Sequence, residues 1–111
     1  MKPTQSQIAI LYLKAWSEKD LESLSDMIAD NITLTDWEGS IQGRNQVIAF
    51  NQLVFKNIGH TRVDIERIAI GQDTVIVEIV ITINNSQIIH VVDVLEFDDD
   101  NKIKRIRAYK R

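Results

Sequence analysis

Apolar residues recur at helical spacing in the first half of the chain and at strand spacing in the second half. The helical pattern predicts three helices. The first begins after Thr4 or Ser6 as N-cap, the second opens at Asp20 and runs through Ile28, and the third covers residues 44–57. A glycine soon after the third helix is a further stop signal. These helices leave one broad apolar surface each for packing.

Five strands are predicted from alternating or continuous β-branched segments separated by turn residues. They are Asn31–Trp37, His60–Ile70, Thr74–Ile83, Gln87–Phe97 and Lys102–Arg111. Helices in the first half and a meander in the second half are typical of an α+β fold. We expect a cone-shaped, curved mixed β-sheet wrapped around three N-terminal helices, with an internal hydrophobic pocket.

Composition narrows the possible partners. The chain has 111 residues, a net charge of -3, no cysteine and two histidines. This length suits a single domain over residues 1–111, and the absence of a basic stripe argues against nucleic acid. Without a long apolar run or a signal-peptide pattern, no membrane association and a cytoplasmic location are expected. Without thiols or paired histidines, no metal or other cofactor is expected.

The most informative residue is Asp93, in the middle of one of the most apolar segments. Strand alternation places Asp93 with Val91, Leu95 and Phe97 on a face that is otherwise wholly apolar. A carboxyl group on a buried face loses water and needs a partner or a proton. Such groups often mark sites of chemistry or binding, although a neighbouring donor that only fixes the packing explains the pattern equally well.

Two other polar residues interrupt apolar faces. Tyr12 lies on the apolar stripe of the first helix, and Asp36 lies on the same strand face as Ile32 and Leu34, with Trp37 on the opposite face. A helical tyrosine is more often a core aromatic with its hydroxyl at the rim. Asp36, next to a turn, is more often a turn acceptor. Together with Asp93, however, both residues are expected to point into one pocket.

Four segments resemble the nuclear transport factor 2-like (SnoaL-like) superfamily over nearly the whole chain. Residues 12–21 resemble its first helix, short turn and Asp-Leu opening, and residues 27–37 its entry into the first strand. Residues 43–48 resemble the glycine that opens its third helix, and residues 93–103 its hairpin into the final strand. The resemblance implies the same cone-shaped fold, which hosts many functions.

Within this superfamily the pattern is similar to that of the ketosteroid isomerases. In that family a helix tyrosine and a protonated aspartic acid form an oxyanion hole, and a second aspartate moves the proton. The resemblance assigns these roles to Tyr12, Asp93 and Asp36, in that order. Asn51 occupies the place of a supporting tyrosine. An apolar surround would then bind a small apolar carbonyl compound, and we expect it to comprise Trp16, Phe50, Leu95, Phe97, Ile106 and Ala108.

Three other functions remain open at this stage. A register shift would turn His90 inward and give a His–Asp pair like that of polyketide cyclases or dehydratases. An epoxide hydrolase would need a pocket arginine between two carboxylates, for which Arg107 is a remote candidate. Alternatively, the domain is a non-catalytic module that binds a hydrophobic ligand or dimerises.

Glu78 and His90 are both expected on the outer face of the sheet. That face also carries more apolar residues than a solvated sheet should, namely Ile76, Val80, Val92 and Val94. We therefore expect a homodimer through this face.

Overall fold

The computed structural model describes residues 2–111 and contains three helices and six strands. The helices are α1 (Gln5–Ser17), α2 (Leu21–Met27) and α3 (Arg44–Asn57). The strands are β1 (Ile28–Asp36), β2 (Gly39–Gln42), β3 (Thr61–Gly71), β4 (Thr74–Ile83), β5 (Gln87–Phe97) and β6 (Ile103–Lys110).

The six strands form one mixed sheet that is not closed, in the order β2-β1-β6-β5-β4-β3. Only β1 and β6 pair in parallel; the other neighbours are antiparallel. Helix α1 packs against β3 and β4, and α3 packs against β1 and β2. The predicted α+β cone is confirmed.

Local sequence signals explain where the helices begin. Thr4 caps α1 in a capping box, because its hydroxyl accepts from the backbone N–H of Gln7 while the Gln7 side chain accepts from the N–H of Thr4. Asp20 caps α2 by accepting from the N–H of Ser23 at 3.1 Å. The N-cap of α2 is therefore Asp20, as predicted, and the N-cap of α1 is Thr4 rather than Ser6.

The antiparallel pairing of β4, β5 and β6 sets the faces of the sheet. Val77, Asp93 and Ala108 lie side by side on the three strands, and all three face the helices. On β5 the buried positions alternate as expected, and the core continues through Val91, Leu95 and Phe97. The predicted inward face of β5 is therefore correct.

Two element predictions were wrong at the start of the sheet. Strand β1 begins at Ile28, where the chain is already extended and pairs with Ile103 of β6, so α2 ends at Met27. Strand β2 was missing from the predicted strands, because its four residues Gly39–Gln42 carry little β propensity. Its strand conformation comes from pairing with the end of β1.

Gly59 follows α3 for a reason that the sequence pattern did not reveal. A Cβ atom there would lie 2.0 Å from Oδ1 of Asn84, which accepts a hydrogen bond from the backbone N–H of His60 at 2.9 Å. The glycine therefore lets the β4–β5 turn pack against the end of α3.

Among residues 2–111, no helix combines the length and the apolar character that crossing a membrane requires.

Candidate functional site

A cavity of about 480 Å³ lies between α1, α3 and the concave face of the sheet. Most of its wall is apolar and comes from helices and sheet alike. The aliphatic part includes Leu13, Leu34, Val54, Ile79, Ile81 and Val91. The polar side chains that line it are Tyr12, Asp36, Glu38, Asn51, Asn57 and Asp93. This is the form expected of a small-molecule site, with a few polar groups in an apolar wall.

Asp93 is held inside this wall by the sheet. Its side chain is 8% exposed, and its direct neighbours on the adjacent strands are Val77 and Ala108. Burial raises the pKa of Asp93 to about 7, because the charged form has lost its water. Near neutral pH this carboxyl group is therefore protonated in a large fraction of molecules.

Tyr12 faces the same cavity from α1. It is 6% exposed and lies one helical turn after Ile8 and one before Trp16. Burial, and secondarily the negative charge of Asp93, raises the pKa of the Tyr12 hydroxyl well above its ordinary value. Tyr12 stays neutral wherever Asp93 titrates, so it remains a hydrogen-bond donor.

Asp36 lines the cavity at the point where β1 ends. Its Oδ1 accepts a hydrogen bond from the backbone N–H of Glu38 at 2.8 Å, as the turn interpretation anticipated. The second carboxylate oxygen has no such role in the turn. Tyr12, Asp36 and Asp93 thus all line one cavity, as the sequence indicated.

Trp37 is the main residue that the sequence analysis placed wrongly. Alternation put its side chain on the outer face, but β1 ends at Asp36 and the following turn brings the indole to the cavity. The ring is 47% exposed, and Nζ of Lys110 lies 4.7 Å from its centroid, a cation–π contact. The turn-forming Glu38-Gly39 pair was the available signal that the alternation stops.

The expected apolar surround is only partly in the wall. Trp16, Phe50, Ile106 and Ala108 line the cavity, and Trp16 packs edge-on against Phe55 with ring centroids 5.7 Å apart. Leu95 and Phe97 do not line it. They are 0% and 1% exposed, on the inward face of β5 but beyond Asp93, where the core is closed. Alternation predicts which face of the sheet a residue lies on, but it does not predict whether that part of the face borders the cavity or the closed core.

Asn51 lines the cavity from α3 and is 4% exposed. Its Nδ2 group donates to the backbone oxygen of Val47, one turn earlier, at 3.2 Å. The sequence singled out Asn51 only as a departure from the isomerase pattern. Its position among the apolar residues of α3 was the signal for a pocket residue.

The rival site residues lie outside the cavity. His90 is on the outer face, where its Nδ1 lies 3.2 Å from Nη2 of Arg111, and the β4–β5 pairing is regular around it. Glu78 faces outward and pairs with Arg67 at 3.7 Å. Arg107 pairs with Glu96 at 3.3 Å on the same outer side.

Two kinds of site therefore lose support within residues 2–111. The cavity wall contains neither a histidine for a His–Asp pair nor an arginine for the epoxide-hydrolase arrangement. Over the same residues, no three His, Cys, Asp or Glu side chains are grouped so that they could hold a metal ion.

Comparison with known proteins agrees with this arrangement of three helices and a curved mixed sheet. Residues 10–106 match the family model described as the SnoaL-like domain. The chain belongs to this family, whose structural neighbours share the nuclear transport factor 2-like, ketosteroid isomerase-like fold. No curated protein sequence matches the chain.

Solved structures with this fold belong to proteins to which different activities are ascribed. A proposed SnoaL-like polyketide cyclase from Shewanella denitrificans has 20% sequence identity and a TM-score of 0.85, over 99% of this chain and 92% of that chain. A proposed ketosteroid isomerase from Kribbella flavida has 17% identity and a TM-score of 0.84, over 96% and 77%. An epoxide hydrolase from M. tuberculosis has 18% identity and a TM-score of 0.83, over 96% and 82%. These likenesses show the fold alone.

Proposed function

We propose that the cavity binds a small, largely apolar carbonyl compound and moves a proton beside its carbonyl group, in the manner of a ketosteroid isomerase. Tyr12 and protonated Asp93 donate hydrogen bonds to the carbonyl oxygen, and Asp36 transfers the proton. The observation that carries this proposal is the buried Asp93 carboxyl group facing a cavity that Tyr12 also lines, with a pKa raised to about 7.

The chemistry requires this combination of groups. Removing a proton from the carbon next to a carbonyl group places negative charge on the carbonyl oxygen. Two neutral donors held in place by a mostly apolar cavity wall stabilise that charge, because they already point at the oxygen. Such preorganised stabilisation is often the largest single contribution to catalysis. The base needs only to reach the carbon and return the proton to another carbon. The carboxylate oxygen of Asp36 that the turn does not use is suited to this step.

A second candidate assigns the proton transfer to Asp93 itself, as an acid–base residue of a cyclase-like enzyme. The turn hydrogen bond from Glu38 to Asp36 favours it, because Asp36 then has a purely structural role. A pKa of about 7 also suits a general base at neutral pH. The two candidates differ in pH dependence: activity falls above about pH 7 if Asp93 is the donor, and falls below about pH 7 if it is the base.

A nitrophenol tests the oxygen-binding part of the proposal, because its phenolate resembles the charged oxygen and absorbs visible light. Near pH 6, about one unit below the pKa of Asp93, 4-nitrophenol is mostly neutral in solution. We expect it to bind as the phenolate, since Tyr12 and protonated Asp93 donate to the charged oxygen. Absorbance titration measures both its affinity and its ionisation.

The control variants are Tyr12→Phe and Asp93→Leu, each of which removes one donor. Each is expected to weaken phenolate binding by about 10- to 100-fold, the range for a hydrogen bond to a charged group. Binding of neutral 4-nitrophenol that neither variant affects would instead support a non-catalytic hydrophobic-ligand module.

We further propose that the outer face of the sheet joins two copies of the chain. Ile76, on this face, is 38% exposed, and Ile88 and Tyr109 are 61% and 52% exposed. The pairing places Val92 beside Tyr109 and Val94 beside Ile76, so these residues form one apolar strip across β4, β5 and β6. The pairs Glu78–Arg67 and Glu96–Arg105 lie on the same face. An apolar centre with ion pairs around it is typical of an interface.

Sedimentation equilibrium tests this dimer. We expect a mass of twice 12.8 kDa for the wild-type chain and a dissociation constant at least about tenfold higher for Ile76→Arg, which places a charge in the apolar strip. The matched control is Ile10→Arg, because Ile10 is 42% exposed on α1, away from the sheet face. A wild-type monomer would contradict the proposal.

A further inference from the structure

Asn51 carries an unused hydrogen-bond acceptor inside the cavity. Its Nδ2 group donates to the backbone oxygen of Val47, which fixes the orientation of the amide, because only an N–H group can face a carbonyl oxygen. The amide oxygen therefore points the other way. Within the described part of the chain, no group donates to this oxygen, although the side chain is 4% exposed and lines the cavity.

A structural role does not account for an asparagine at this position. The residues around it on the same side of α3 are Val47, Val54 and Phe55, so an aliphatic side chain would add to the core. Asparagine is also a poor helix former. Asn57, which also lines the cavity, makes the same bond to the backbone one turn earlier at 2.9 Å, but its side chain is exposed, so water can reach its amide oxygen. Asn51, in contrast, is buried among apolar residues.

The Asn51 amide oxygen is accessible from the cavity and unpaired, so a ligand group that donates to it gains a hydrogen bond in a mostly apolar wall. In the proposed function Tyr12 on α1 and Asp93 on β5 supply donors to a ligand oxygen, whereas Asn51 offers an acceptor from α3. The cavity therefore presents two kinds of polar contact from different elements. A ligand that uses both must carry an acceptor oxygen and, apart from it, a hydroxyl or another donor group.

We propose that Asn51 is a specificity-determining residue that accepts a hydrogen bond from a ligand hydroxyl, so that the site selects hydroxylated carbonyl compounds over simple ketones. This inference rests on the proposed function, because it takes the carbonyl oxygen to be held by Tyr12 and Asp93. It adds the class of substrate, a carbonyl compound with a second, donating oxygen.

Calorimetric titration tests the inference with 4-nitrophenol and with its two monohydroxylated derivatives, the positional isomers that carry a second hydroxyl group beside or one carbon away from the first. In the wild-type protein, at least one hydroxylated isomer is expected to bind about tenfold more tightly than 4-nitrophenol. Without an acceptor in the wall, the second hydroxyl would weaken binding, because it would lose its water. If no isomer binds more tightly than 4-nitrophenol, the inference is wrong, and this comparison needs no variant.

The variant Asn51→Leu keeps the size of the side chain and removes the acceptor. We expect it to abolish the tenfold preference while changing the affinity for 4-nitrophenol by less than about threefold. Asn45→Leu is the matched control, since it makes the same chemical change at an exposed position of α3 that does not line the cavity, and it should leave the preference intact. Tyr12→Phe should weaken both ligands by a similar factor, because it acts on the other oxygen.

The outcomes separate this inference from the proposed function. If 4-nitrophenol fails to bind the wild-type protein, the proposed function fails and the inference fails with it. If 4-nitrophenol binds through Tyr12 and Asp93 but Asn51→Leu keeps the preference for a hydroxylated isomer, only the role of Asn51 is wrong. A loss of all binding in a folded Asn51→Leu protein would also overturn it, because Asn51 would then shape the cavity as a whole.

Discussion

Above about pH 8, the Asp93→Asn variant is expected to be more stable than the wild-type protein by about 4 kcal/mol. Burial raises the pKa of Asp93 from 3.8 to about 7, and each pKa unit corresponds to about 1.4 kcal/mol between the two protonation states. The asparagine has the shape and the neutrality of the protonated acid, so it removes the penalty of a buried charge. Urea unfolding at several pH values measures this difference.

The direction of the pH dependence follows from proton linkage. In the unfolded chain Asp93 ionises near its ordinary value of 3.8, whereas in the folded chain it keeps its proton up to about pH 7. Between these values the folded state binds the additional proton, so this contribution to stability is lost as the pH rises through the folded pKa. Below about pH 4 the variant and the wild type should be equally stable.

The matched control is Asp99→Asn, which makes the same chemical change at an exposed position in the β5–β6 turn. It should alter the free energy of unfolding by less than about 0.5 kcal/mol at any pH. Equal stability of Asp93→Asn and wild type at pH 8 would mean that the Asp93 carboxyl group is solvated, contrary to its position in the wall.

The second large effect is expected in proton exchange at the carbon beside a carbonyl group. A small aryl ketone in D₂O serves as the probe, and NMR follows the loss of its α-proton signal. Asp93→Leu and Tyr12→Phe are each expected to lower the protein-dependent exchange rate by about 100-fold, because each removes a donor to the oxygen that becomes charged. Asp36→Asn removes the proposed base and should lower it at least as much.

Asp93→Asn distinguishes the two candidate mechanisms in the same assay. If Asp93 is a donor, the asparagine amide replaces it, so the variant retains much of the rate and loses the decline above about pH 7. If Asp93 is the base, the same variant loses the rate throughout, and Asp36→Asn remains active. Exchange that is equally fast with all of these variants would exclude the cavity as the site of the reaction.

The sequence predicted the features that depend on periodicity. Two-residue alternation along β5 placed Asp93 on the inward face, and helical spacing placed Tyr12 toward the same side. Both periods are fixed by backbone geometry, so they hold wherever an element is regular. The inward direction of Asp36 followed from the same reasoning, since it lies at the last residue of β1.

Predictions from the sequence were wrong where a strand ends, and where the same face of the sheet borders the cavity in one part and the closed core in another. Trp37 lies one residue beyond β1, and a turn rather than alternation directs its side chain. Leu95 and Phe97 share the face of Asp93 but lie where the core is closed. Strand β2 exists because β1 provides a partner for it. These features depend on tertiary packing, which no local pattern encodes.

Asp93 also illustrates how function and stability compete in this fold. A carboxyl group in the wall destabilises the folded protein at high pH, and an apolar residue there would remove that effect. Asn51 similarly occupies an apolar stripe of α3. Local choices that lower stability without a compensating contact are typical of binding and catalytic sites. Both residues line the same cavity, which is why we assign the function to it.

The most direct measurement of the central claim is the titration of the Asp93 carboxyl carbon by ¹³C NMR, with Asp93→Asn identifying the resonance. We expect a midpoint near pH 7 in the free protein and a higher midpoint when 4-nitrophenolate occupies the cavity, because the bound anion favours the protonated acid. A midpoint near 4 that 4-nitrophenol leaves unchanged would contradict the account, since Asp93 would then be neither desolvated nor in contact with the ligand.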